Sequence, residues 1–199
     1  MIEIVVATKN AGKITEFSAV LAGLPVKVLA LSDFPAMPEA VENGVTFAAN
    51  AEMKARHYAY HTGKACLADD SGLEVDALGG APGVYSARYA GERATDAENN
   101  NKLLSDLAAT GGAGPFSGRF RCALAFVDGE GNVITADGTC EGMILDALQG
   151  QGGFGYDPLF YIPGLGKTLA ELSVAEKNAI SHRGKAIISM AVKLAGYFK

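Results

Sequence analysis

Ile2 to Leu21 reads IEIVVATKNAGKITEFSAVL. Ile2 to Ala7 is a short apolar run rich in β-branched side chains, and the polar turn Thr8-Lys9-Asn10-Ala11-Gly12-Lys13 follows it. A helical pattern then runs through Leu21 and stops at Gly23. Strand, loop and helix in that order open an α/β fold. A loop that leaves a strand and starts a helix collects backbone N–H groups and the positive end of the helix dipole, here beside Lys9 and Lys13. In outline this is an anion site. It lacks the GxxxxGKS/T spacing of a P-loop, so an ordinary polar turn fits the same residues.

Working outward, Val26 to Leu31 reads as a second strand, and Pro35 and Pro38 mark an irregular connection. Thr46 is placed to cap a long helix running to about His61, and Lys64 to Asp69 returns as a strand. Thr95-Asp96-Ala97-Glu98 is a capping box, and leucines at 103, 104 and 107 give the following helix an apolar face that ends at Gly111-Gly112. Phe120, Cys122, Leu124 and Phe126 alternate with smaller residues up to Asp128-Gly129-Glu130-Gly131-Asn132, after which Val133 to Cys140 resumes, a hairpin signal. Leu159 to Ile162 is a short strand, Ser173-Val174-Ala175-Glu176 a second capping box, and about Arg183 to Phe198 a closing helix. No repeat or linker interrupts this order. The most economical architecture is a single α/β domain over residues 1–199, with a mixed central sheet flanked by helices and an antiparallel hairpin lobe.

The densest chemistry lies in Leu67 to Gly91, LADDSGLEVDALGGAPGVYSARYAG. Adjacent acids raise each other's pKa and resist burial unless a cation or hydrogen bonds compensate, and a hard metal ion is the simplest compensator. Neighbouring side chains of a strand point to opposite faces, so only one of Asp69 and Asp70 would face a pocket. A pocket-facing carboxylate beside Mg²⁺ can hold the ion and orient or deprotonate a water. The bland alternative is that the acids cap the next turn.

Two further segments carry chemistry-bearing side chains. Gly150 to Pro158, GQGGFGYDP, sets Phe154, Tyr156 and Asp157 on a glycine-rich backbone. Either aromatic ring could stack on a base and Asp157 could accept from a ring N–H, or the segment is a structural turn. Lys177 to Lys185, KNAISHRGK, holds Lys177, His182, Arg183 and Lys185 within nine residues. An unbroken helix would not align Lys177, His182 and Arg183; a break near Ser181 would bring them together, while a solvated basic face is the competing reading.

Bulk properties narrow the function classes. The chain has 199 residues, 49% of them hydrophobic and 20% charged, which is globular, and a net charge of −5 argues against broad attachment to nucleic acid or an anionic membrane. Its N-terminus, MIEIVVATKN, has no basic n-region and no segment approaches roughly 20 apolar residues, so the expectation is a cytoplasmic protein without membrane spans. Cys66, Cys122 and Cys140 show no CxxC spacing and read as buried thiols; His57 and His61, four apart, lack a third ligand and read as a solvated helix face.

Taken together, TKNAGK, the Leu67 to Gly91 stretch, GGFGYDPLF and SHRGKA, in this order and spanning Thr8 to Lys185, resemble the inosine/xanthosine triphosphate pyrophosphatase family. GVTFAANAEMKARHYA resembles that family's first long helix. The resemblance implies an ITPase-like fold with a nucleotide cleft between lobes. It also implies a homodimeric, Mg²⁺-dependent enzyme that hydrolyses ITP, dITP and XTP to the monophosphate and pyrophosphate. Carried over residue by residue, the triphosphate loop falls on Thr8, Lys9, Asn10, Ala11, Gly12 and Lys13, the catalytic and metal-binding acid on Asp70, and the next substrate contact on Ser71. The base-side loop falls on Phe154, Gly155, Tyr156 and Asp157, with Lys177, His182 and Arg183 completing the nucleotide contacts. Glu42 rather than Glu39 is taken as the second metal-associated acid, and Asp69 is expected to face away or to play a supporting part. Lys9 either adds a phosphate contact or points to solvent.

Three other readings compete: a related pyrophosphatase for modified pyrimidine or methylated nucleotides, a nucleotide-sensing module without turnover, and nucleic-acid binding through KNAISHRGK, which the acidic balance disfavours.

Overall fold

The computed structural model describes residues 1–198, the Ala11 side chain excepted. Three strands, β1 (Ile2–Val6), β2 (Val26–Ala30) and β3 (Ala65–Val75), are parallel, with β1 between the other two. Parallel neighbours need a crossover connection, and two helices supply it: α1 (Ala11–Leu21) and α2 (Phe47–Thr62). β4 (Phe116–Val127) and β5 (Val133–Ile144) are joined by the turn at 128–132, and β6 (Phe160–Ile162) and β7 (Lys167–Thr168) add antiparallel edges. The seven-stranded mixed sheet has the order β2-β1-β3-β4-β5-β6-β7. α3 (Asp96–Ala109), α4 (Val174–Ile180) and α5 (His182–Tyr197) complete the helices. This is the predicted mixed sheet flanked by helices.

The chain divides into two compact units. The first comprises Met1–Asp70, Cys122–Gly138 and the chain from Arg183 onward; the second comprises Ser71–Arg121 and Thr139–His182. In the first, Ile4, Val5 and Val6 are all buried, as expected of a strand covered on both faces. Phe17 and Leu21 of α1, one turn apart, join Ile4, Val6 and Leu67 in a core closed by Ala186, Ile187, Met190 and Leu194 of α5. Each large side chain buried there contributes about 1.5–3 kcal/mol. In the second, Leu103 and Leu107 of α3 pack with Leu73, Val75, Phe120, Cys140 and Ile144. Among the described residues, no helix is long and apolar enough to cross a membrane.

Local signals decide where the elements start. Asn10 caps α1 by accepting from Lys13 N at 3.2 Å, and Thr46 caps α2 by accepting from Ala49 N. Both capping boxes form, Thr95 with Glu98 and Ser173 with Glu176. The predicted break falls at Ser181, whose extended backbone separates α4 from α5. All three cysteines are buried free thiols, and burial pushes Cys66 up to about 12.

Two expectations are corrected. β3 does not end at the acids but runs on through Val75, so Ser71 and Glu74 are strand residues and the capping alternative falls. Its extension survives because Leu73 and Val75 bury a second apolar stretch under α3. β7, only two residues long, carries no sequence pattern and was not expected.

The β4–β5 turn is held by one side chain. Asp128 Oδ1 accepts from Glu130 N at 2.8 Å and Asn132 N at 2.9 Å, and Oδ2 accepts from the Asn132 amide and the Tyr197 hydroxyl. The Tyr197 bond first, then the Asn132 and backbone bonds, hold its carboxyl down at about 2 against the cost of burial. A depressed carboxyl stabilises the fold fully above about 4, the ordinary Asp value, and loses that contribution as the pH falls toward 2. Asp128→Asn should therefore lower the Tm at pH 7 by about 2–4 °C, with the gap to the wild type closing in melts between pH 4 and 2. A gap that persists unchanged at low pH refutes the charge's role.

Candidate active site

The two acids of β3 part company at the pleat. Asp69 shares the face of Leu67, towards α1 and α5, and is only 3% exposed. Its Oδ2 lies 2.8 Å from Lys13 Nζ and 3.4 Å from Arg183 Nε, while its backbone carbonyl accepts from Lys54 Nζ at 3.0 Å. Burial alone would raise the carboxyl; Lys13 and then Arg183 reverse that and hold it far below the usual range. Asp69 faces away from Asp70, as alternation predicts, and its supporting part is that of the anion around which two distant basic residues gather. Arg183 is itself buried and also lies 4.0 Å from Glu16.

Asp70 takes the opposite face, towards α2, and is half-buried. Its Oδ2 accepts from Asn50 Nδ2 at 3.0 Å. Burial pushes its carboxyl up; Asn50 and Lys54 work against that shift, and the nearby charges of Glu42 and Asp69 add to it. Glu42 Oε2 lies 2.8 Å from Lys54 Nζ. The Lys54 ammonium is driven down by its own burial and up by Glu42, Asp69 and Asp70, and the acids win. Glu39 instead meets Lys9 at 2.6 Å on the surface, both side chains more than 70% exposed. Of the two candidate second acids, Glu42 is the one whose charge acts on Asp70.

The Thr8 to Lys13 loop wraps the start of α1. Asn10 N donates to Thr8 Oγ1 at 3.1 Å and the Asn10 side chain caps the helix. Lys9, Asn10 and Gly12 are exposed, and Lys13 turns inward to Asp69.

In the second unit, where Ser71 is half-buried, the Phe154 to Asp157 loop is fixed from several sides. Phe154 N donates to Asp157 Oδ2 at 2.9 Å, Lys177 Nζ also bonds that oxygen, and the ammonium sits 4.4 Å from the Phe154 ring centre. Gly155 N donates to Asp96 Oδ2 at 2.6 Å and Gly155 O accepts from Asn100 at 2.9 Å. Gly153 has φ 72°, and a Cβ there would stand 2.1 Å from Asp157 Oδ2, so the turn requires glycine. Phe154 is 54% exposed and available to stack; Tyr156 is not, being buried with its hydroxyl donated to Ser86 O. Asp157 is buried and holds the loop from within through Phe154 N and Lys177. His182 stacks on Phe120, ring centres 4.9 Å apart.

Residues 4–193 match the Ham1 family. The chain belongs to the Ham1 family. Over 93% of this chain and 92% of its counterpart, it is 52% identical to a dITP/XTP pyrophosphatase of Desulforamulus reducens. A dITP/XTP pyrophosphatase of Geobacter sulfurreducens is also 52% identical, over 94% of each chain. In three dimensions the chain superposes on a HAM1 protein from Coxiella burnetii with a TM-score of 0.92 at 43% identity, covering 98% of this chain and all of the other. Against a nucleoside-triphosphatase / dITP/XTP pyrophosphatase from Mycobacterium abscessus the TM-score is 0.79 at 42% identity, covering 95% of this chain and 97% of the other.

Four polar residues that bond the candidate residues carry no call in the sequence reading: Asn50 and Lys54 in the first unit, Asp96 and Asn100 in the second. The signal was there for three of them. Asn50 and Lys54 lie one turn apart beside the buried Ala51 and Ala55, and Asn100 is buried next to the apolar Leu103, so all three are polar groups on packed faces that need a reason. The adjacent acids should respond unequally to neutralisation. Asp69→Asn strips the buried anion from Lys13 and Arg183 and should cost about 3–5 kcal/mol in urea unfolding. Asp70→Asn removes a charge the fold disfavours and should change stability by less than about 1 kcal/mol. Equal losses for both would refute the division.

Proposed function

We propose that the chain hydrolyses noncanonical purine nucleoside triphosphates, ITP, dITP and XTP, to the monophosphate and pyrophosphate. It would do so as a Mg²⁺-dependent, homodimeric enzyme of the cytoplasm that clears the nucleotide pool. The observation that carries the reading is Asp70 itself: a raised, half-buried carboxyl beside Glu42 in a chain about half identical to dITP/XTP pyrophosphatases along nearly its whole length.

Mg²⁺ keeps several waters and takes one or two carboxylates together with substrate phosphates. The donor set suits that habit. Asp70 and Glu42 offer two acids within reach of each other's charge, and among the described residues no group of three or more His, Cys, Asp or Glu could make an all-protein cage. Asp70 and Glu42 would hold the ion, which when bound neutralises charge on the phosphates.

The protein's own groups supply the rest. The N-terminus of α1 with Asn10, Gly12 and Lys13 is suited to the phosphate chain, by exposed N–H groups and a positive dipole end. Charge gathers on the departing pyrophosphate as the α–β bond breaks, and Lys13 and Lys54 are the cations of the acid cluster that can oppose it. Asp70, steered by Asn50, orients the attacking water and takes its proton. On the base side, Phe154 offers an exposed ring and Lys177 a cation at its face. A polar contact to the 6-oxo group leaves adenine's amine facing a donor, a mismatch of about 1–3 kcal/mol or roughly tenfold in preference.

Pyrophosphate release across ITP, dITP, XTP, ATP, GTP, modified pyrimidine and methylated triphosphates tests the reading. Turnover should favour the three deaminated purines at least about tenfold, vanish with EDTA, and fall about 10²–10⁴-fold in Asp70→Asn. Release of orthophosphate, binding without turnover, or a preference for the pyrimidine or methylated nucleotides would each overturn it.

A further inference from the structure

The segment between the 3₁₀ turn Leu31–Asp33 and α2 has no regular structure, and none of its residues is buried. It nevertheless carries Glu42. Three residues of α2 spaced i, i+4 and i+7 hold it, in reverse order along the strap. Asn50 Oδ1 accepts from Gly44 N at 2.8 Å, Lys54 Nζ meets Glu42 at 2.8 Å, and His57 Nε2 lies 2.8 Å from Pro38 O. Such spacing puts all three on one stripe of the helix.

Asn50 differs from the other two rungs because its second amide atom reaches the reaction group. The side chain is 1% exposed, and while Oδ1 holds the strap, Nδ2 donates to Asp70 Oδ2 at 3.0 Å. A backbone N–H can only donate and an ionised carboxylate can only accept, so the amide fits in one orientation and cannot flip. Gly44 shows independently how tight the joint is. A Cβ there would stand 2.7 Å from Asn50 Oδ1 and 2.9 Å from Ala49 Cβ, so the strap approaches this closely only through glycine.

We propose that Asn50 is a positioning residue that registers the strap bearing Glu42 against Asp70, with Gly44 as the contact that permits it. The proposal rests on the reading of Asp70 as the acid that acts on the attacking water. Aspartate at position 50 separates the two halves of the amide: it still accepts from Gly44 N but cannot donate to Asp70 and sets a like charge against it.

Kinetics of pyrophosphate release from ITP, melting by circular dichroism, and hydrogen exchange at the Gly44 amide together test this. Asn50→Asp should lower kcat about 10²-fold with KM nearly unchanged, since misplacement of a reacting group by about 1 Å costs that much. Gly44 exchange should stay at the wild-type rate. Asn50→Ala should lower kcat similarly and also speed Gly44 exchange. Gly44→Ala, which leaves Asn50 intact, should reproduce the kcat loss with an undiminished melting temperature, and so decides the matter if the Asn50 variants fold poorly. A normal kcat in Asn50→Asp or Gly44→Ala, or a rise in KM alone, overturns the proposal. A wild-type protein that releases no pyrophosphate overturns instead the reading on which it rests.

Discussion

A single buried carboxylate organises the first unit. Asp69 has lost nearly all its water, and an isolated charge in that position would neutralise itself by taking up a proton. It stays ionised because Lys13 from the first helix and Arg183 from the last converge on one of its oxygens. Residues 13, 69 and 183 can meet only when β3, α1 and α5 have assembled, so the ion cluster and the apolar core around Phe17, Leu67 and Ile187 form together or not at all. Lys13 also stands in the first turn of α1, beside the residues suited to phosphate. The charge that fixes the fold therefore also fixes a cation of the candidate site.

The pleat of β3 turns that constraint to chemical use. Adjacent acids on one face would repel at close range, whereas a strand sends them to opposite sides and gives each its own surroundings. Two cations pull Asp69 down; burial and the neighbouring Glu42 push Asp70 up. Titratable groups driven apart in this way take different roles. One is held as an ion that bears structure, and the other is a carboxyl whose charged form its surroundings disfavour. Neither outcome depends on the identity of the two residues, which is the same; the partners on each face decide it.

That division explains what the sequence disclosed. Elements governed by local chemistry were legible: the Thr95 and Ser173 capping boxes, the Asp128 to Asn132 hairpin and the break at Ser181 all depend on residues a few positions apart. Alternation correctly separated Asp69 from Asp70 but could not say what waits on each face, because Lys13 and Arg183 lie 56 and 114 positions from Asp69. For the same reason β3 looked complete at the acids: what extends it is the burial of Leu73 and Val75 against a helix some 30 residues further on. The glycine loop divides its side chains by burial, which its sequence does not reveal. Tyr156 and Asp157 are buried and hold the loop's shape, while the Phe154 ring is at the surface.

The strap that carries Glu42 shows how a site can be exact without being rigid throughout. Ordering a chain segment costs conformational entropy at every residue, normally offset by buried apolar side chains. Between Leu31 and Thr46 none is buried, so polar rungs from α2 must supply what packing does not. Each hydrogen bond contributes a net of only about 0.5–1.5 kcal/mol. A segment held this way belongs to the low-stability end of the molecule and opens more readily than the core beneath it. Two of its anchors, Asn50 and Lys54, also touch Asp70 or the Asp69 backbone, so release of the strap and disturbance of the acids are one event. The third, His57, and the surface pair of Lys9 with Glu39 touch neither acid. The strap thus grades from rungs coupled to the acids at Gly44 and Glu42 to uncoupled ones at Glu39 and Pro38.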